Sequence, residues 1–153
     1  MNMKRLLLIL TVLLAAFPAL AQNEREAVDP NDFKVDVNHM NPLRFPSKVL
    51  TDTYSVVVRN DSVEVHLPYY GQRQTVSFNS DGLHFKEPFT VQKLKTKNKK
   101  KYVVTDLTFR TRHKGESYTF HFSIWGKSTA NLDVKPENGD VCGYSGDVVK
   151  EDE

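Results

Sequence analysis

Two hydrophobic patterns divide this chain. Residues 6–16 form an almost unbroken apolar run, interrupted only by Thr11, whereas from Phe33 onward apolar and polar residues alternate with a period of two. The alternation starts with Phe33, Val35 and Val37 set against Lys34, Asp36 and Asn38, the signature of a strand with one buried face. Residues 41–48 carry Pro42 and Pro46 and read as a loop or irregular crossing. Tyr54, Val56 and Val58 then share one face, as do Val63, Val65 and Leu67, with Asn60 and Asp61 between them. Both residues tolerate left-handed backbone angles, so the spacing predicts a tight hairpin of type I′.

Further short strands are predicted at 74–78, 83–85, 88–94 and 102–111, with polar turns at 79–82, 95–100 and 113–115. Tyr118, Phe120, Phe122 and Ile124 make the strongest apolar face, opposite Thr119, His121 and Ser123. After a turn at 126–128, strands follow at 129–134 and within 141–149. No long stripe of period 3.6 interrupts them. Roughly nine strands joined by tight turns argue for an all-β, single antiparallel up-and-down meander. It closes as a small barrel or, alternatively, as a two-sheet β-sandwich. A barrel of about eight strands either fills with side chains or holds one small ligand.

The apolar run has a different meaning. Lys4 and Arg5 precede it, Pro18 follows it, and Ala19-Leu20-Ala21 offers a small-x-small cleavage site. Residues 1–21 therefore read as a secretory signal peptide, and the apolar run 6–16 is shorter than the roughly 18 residues a spanning helix needs. The expected organisation is signal peptide 1–21, mobile polar segment 22–32, β-barrel domain 33–149 and acidic tail 150–153. The expected location is the periplasm or beyond, without an N-terminal lipid anchor, because no cysteine stands at the cleavage site. No transmembrane segment is expected in the mature chain.

Removing the signal also changes the charge. The chain has 21 Lys+Arg against 19 Asp+Glu, and Lys4 and Arg5 leave with the signal, so the mature chain is formally neutral. A nucleic-acid partner is not indicated. Cys142 is the one cysteine, which excludes an intramolecular disulfide; its neighbours Val141, Gly143 and Tyr144 point to a small buried hydrophobe.

At this point a family resemblance emerges. The string from Tyr54 to Val63, Leu67-Pro68-Tyr69-Tyr70-Gly71, Gly82-Leu83-His84-Phe85, the 118–124 strand and Gly143-Tyr144-Ser145-Gly146 resemble an exported family of Gram-negative gut anaerobes. That family is catalogued as domain of unknown function 4251. The resemblance covers about residues 33–149, and Gln72-Arg73-Gln74 departs from its pattern. It implies a lipocalin-like antiparallel barrel and brings no activity, substrate or catalytic residue with it.

Candidate chemistry is sparse. The five histidines, His39, His66, His84, His113 and His121, show neither the i,i+2 strand spacing nor the i,i+4 helix spacing of a metal pair. No Gly-x-Ser-x-Gly elbow or phosphate-cradling glycine loop is present. We therefore expect no enzyme, no cofactor and no metal. Two surface features stand out. Lys93, Lys95, Lys97, Lys99, Lys100 and Lys101 crowd a predicted hairpin tip, either as a solvated face that deters aggregation or as a contact for an anionic surface. Tyr69 and Tyr70, with Arg73 and Trp125, could line the rim of a small-ligand or partner site, or Tyr69 and Tyr70 could simply lock a strand exit. The leading expectation is a non-catalytic barrel module binding a small apolar or amphipathic ligand or an envelope partner. The alternative is an envelope structural or stress protein with a filled barrel and a basic hairpin.

Overall fold

The computed structural model describes residues 25–71 and 82–150. Within them the alternation becomes eight strands: β1 (Asp32–Pro42), β2 (Lys48–Arg59), β3 (Ser62–Leu67), β4 (Leu83–Asn98), β5 (Val103–His113), β6 (Glu116–Trp125), β7 (Thr129–Pro136) and β8 (Cys142–Val149). Each pairs antiparallel with the next, and β8 pairs with β1 to close the barrel. Closure decides against the two-sheet sandwich.

Period two translates directly into inside and outside. Tyr118, Phe120, Phe122 and Ile124 of β6 and Ala130, Leu132 and Val134 of β7 are all buried. The interior is packed with rings. Phe109 stacks on Phe120 at 5.2 Å, and Phe33 meets Phe122 edge-on at 5.2 Å. β1 and β6 are not neighbours in the sheet, so the contact between Phe33 and Phe122 spans the lumen and fills it at that level. Edge-to-face geometry suits the ring quadrupoles.

Several sequence expectations need correction. The predicted strands 83–85 and 88–94 are one strand, and the polar turn at 95–100 shrinks to 99–102, where the Lys99 amide donates to the Tyr102 carbonyl at 2.8 Å. The described residues thus hold eight strands in place of roughly nine; the predicted strand at 74–78 lies outside them. β1 runs through Pro42, leaving 43–47 as the irregular crossing. The Asn60-Asp61 hairpin is present, but only Asn60 has a positive φ (53°), whereas type I′ requires two. Lys114 (49°) and Gly115 (82°) supply that sign pattern in the β5–β6 turn instead.

Described loop residues tie strand ends together at both ends of the barrel. At the end carrying the start of β1, Val28 is buried in the core cluster, Glu26 pairs with Lys127 at 2.7 Å, and the Asn60 amide donates to Asn31 at 2.7 Å. At the opposite end, the Tyr144 hydroxyl donates to the Pro68 carbonyl at 2.6 Å and the Tyr69 hydroxyl to the Asp140 carbonyl at 2.7 Å. Arg44 Nε reaches the Asp140 carboxylate at 2.9 Å, so three connections are tied together there. Among the described residues, no helix is long and apolar enough to cross a membrane.

Candidate interaction surface

β4 is much longer than β3, and that mismatch creates the most unusual surface of the molecule. β3 pairs with β4 only from Leu83 to Pro88. Pro88 has no amide hydrogen and sits where β4 leaves its partner, a place that costs no ladder bond. The Phe89 amide makes one more bond, to the Asp61 carbonyl at 2.9 Å. From Thr90 to Asn98 one edge of β4 pairs with β5, while the other has no strand partner among the described residues.

The two faces of this overhang differ sharply. Val91, Leu94 and Thr96 are registered opposite Phe109, Leu107 and Thr105, all buried, so they continue the inner face of the barrel. Among the described residues no strand lies across from them, and Val91 and Leu94 are 48% and 49% exposed. Lys93, Lys95 and Lys97 are registered opposite Thr108, Asp106 and Val104 on the outer face. A β-bulge between Val91 and Lys93 makes this segregation possible. With strict alternation, Val91 would share a face with all three lysines; the extra residue shifts the register and separates apolar from basic.

Charges on the outer face are unevenly compensated. Lys97 Nζ lies 2.9 Å from Asp106 Oδ2, and Ser123 donates to the other oxygen at 2.9 Å. The Lys97 hydrogen bond holds the Asp106 carboxyl below its ordinary value, with Ser123 helping. Lys93 and Lys95 stand in no ion pair among the described residues. Beside them, Thr90, Gln92, Arg110, Arg112 and Ser117 line a shallow hollow of about 370 Å³. Arg110 reaches Glu137 at 3.5 Å, and Arg112 donates to the Gly115 carbonyl at 3.3 Å. Lysine row and arginine hollow together make one basic face across β4 and β5. The arginines were missed in sequence because they are isolated on β5; only the β4–β5 register reveals their neighbours.

The other predicted residues are scattered. Lys99, Lys100 and Lys101 form the exposed tip beyond the arm. Tyr69 is tied to Asp140 and packs against the core, as a strand-exit lock would. Tyr70 is 47% exposed, 6.4 Å from Phe45 and with Lys48 Nζ 5.9 Å from its ring. Trp125 ends β6 beside Thr129, at the opposite end of the barrel from the tyrosines, so it shares no rim with them. Arg73 lies outside the described residues. Cys142 is fully buried, and burial pushes its thiol pKa up, which suppresses the reactive thiolate.

Fold and surface define the class: a closed eight-strand up-and-down barrel with one overhanging, basic edge strand. The chain belongs to the DUF4251 family, described as a domain of unknown function, whose model matches residues 19–148. No curated protein matches the chain significantly.

Proposed function

We propose that this protein is an exported, non-catalytic binding module of the cell envelope that works through its outside rather than its lumen. The carrying observation is the free edge of β4 from Thr90 to Asn98, flanked by an exposed apolar row and a basic row. The ring contact of Phe33 with Phe122 occupies the space that an interior guest would need at that level. Export rests on the signal-like residues 1–21.

The occupant that fits is an extended, acidic segment of a partner protein, added as a further strand along β4. Main-chain hydrogen bonds would give such a complex its affinity and alternate side chains its specificity. A strand alternating carboxylate and aliphatic residues would set acids against Lys93, Lys95 and Lys97 and aliphatics against Val91 and Leu94. A second copy of this edge is disfavoured, since lysine rows would meet lysine rows.

A blocked peptide of alternating Glu and Val, titrated at low salt and followed by fluorescence anisotropy, tests the proposal. Binding is expected to weaken with salt and to disappear in Lys93→Glu/Lys95→Glu/Lys97→Glu. The same peptide N-methylated at alternate residues is expected not to bind, because it cannot complete the ladder. No binding by the parent peptide, or equal binding by the charge-reversed protein or N-methylated peptide, would overturn the reading.

A further inference from the structure

A second surface, on β3 and β4 away from the overhang, brings two metal-ligating side chains together. His66 is registered directly opposite His84. Both are exposed, and their Nδ1 atoms lie 2.7 Å apart with ring centroids at 4.3 Å. Tyr54 stacks on His66 with centroids at 5.5 Å and planes 25° apart, which limits the ring's rotation. The cross-strand pairing is invisible to a search for local histidine spacing.

We propose that His66 and His84 form a two-nitrogen chelate for a divalent transition cation, with Cu(II) the best match. The argument is one of bite. Metal–imidazole bonds are about 2.0–2.1 Å, so two nitrogens at a right angle sit about 2.8–3.0 Å apart, and two at a tetrahedral angle about 3.3–3.4 Å. The observed 2.7 Å belongs to a hydrogen-bonded pair; opening it by about 0.1–0.3 Å reaches the first, whereas the second needs about 0.6–0.7 Å. Right angles between neighbouring ligands occur in square-planar, tetragonal and octahedral sites, and among the divalent cations that imidazole suits the Irving–Williams order places Cu(II) first. Water completes the coordination sphere.

Proton placement is compatible with this chemistry. One ring now donates from Nδ1 to the other. On metal binding the donor ring becomes its Nε2–H tautomer, so both Nδ1 lone pairs face the cation and no net proton is released from two neutral rings. The remaining histidines have different settings: His113 contacts Glu87 at 2.8 Å, His121 contacts Thr108 at 2.8 Å, and His39 contacts Asn38 at 2.8 Å. None of those contacts is with a second imidazole.

The test is a Cu(II) titration of the purified chain in a non-coordinating buffer near neutral pH, read by electron paramagnetic resonance. One equivalent is expected to bind at micromolar concentration, with an axial spectrum and hyperfine structure from two nitrogens. His66→Ala and His84→Ala are each expected to weaken binding by about tenfold or more, equivalent to about 1.4 kcal/mol. Zn(II) is expected to bind more weakly, in keeping with its tetrahedral preference. Far-UV circular dichroism of the variants separates lost ligation from lost fold, and nitrogen-15 labelling of histidine in the wild-type chain reads the ligands without mutation. The absence of binding at micromolar Cu(II), an all-oxygen spectrum, or undiminished binding in either folded variant would overturn the proposal. None of these outcomes bears on the peptide edge.

Discussion

β6 and the overhang of β4 each present an apolar row on the inner face, unbroken in β6 and stepped by a bulge in β4, yet they live in opposite environments. β6 has partners on both edges from Tyr118 to Trp125, and its four inward-facing residues Tyr118, Phe120, Phe122 and Ile124 are buried. Among the described residues β4 beyond Phe89 has a strand partner on one edge only, and its apolar residues are about half exposed. An inward-facing apolar row thus becomes core in one place and available surface in the other. Whether a strand lies opposite makes the difference, not the residues themselves.

That contrast can be broken at either side. The largest effect is expected from Phe122→Ala, which removes the ring bridging the lumen to Phe33: a loss of about 3–5 kcal/mol in urea unfolding. Replacing Val91 and Leu94 by Ser is expected to change stability by only about 0.5 kcal/mol per site, while abolishing capture of the Glu–Val peptide. A large destabilisation by that double variant would show that the overhang is part of the core.

The smallest effect concerns acid. Asp106 has a depressed pKa in the folded chain, so the folded state binds fewer protons than the unfolded state around the ordinary value of 3.8. Its contribution is present above that value and is lost as pH falls through the lower, folded one. Amide exchange in the 95–98 stretch is expected to speed up on acidification below about pH 4, relative to the same stretch in Asp106→Asn. Equal acid sensitivity in the two proteins would remove the Lys97–Asp106 pair as the clamp.

Much of the barrel was legible because alternation reports burial directly. Tyr118 through Ile124, Val63 through Leu67 and the strand beginning at Phe33 behave as their pattern says. Closure into a barrel was legible from the run of hairpins and the family resemblance, although nothing local in β1 or β8 states that they pair, so the sandwich stayed open as the alternative. The β4 arm was misread for a different reason. Its six-lysine stretch looks like turn composition, and the bulge after Val91 breaks the period on which the reading relies. The lysines themselves were visible as a cluster; their separation from Val91 and Leu94 was not. His66 and His84 became neighbours only through the β3–β4 register, and Trp125 parted from Tyr69 and Tyr70 only once strand directions were known.

The seam between β1 and β8 carries a consequence for how the chain assembles. Seven of the eight pairings join consecutive strands and can form by local search, whereas Lys34 must find Val149 from the far side of the domain. Loop-closure entropy makes this the costliest encounter, and high-separation contacts slow folding. Gly146 sits in that seam, where any Cβ would run into the Asp36 carbonyl. Until the two strands zip together, a nascent chain exposes two raw sheet edges, and a side chain at Gly146 would keep them from meeting at this point and leave those edges open to aggregation.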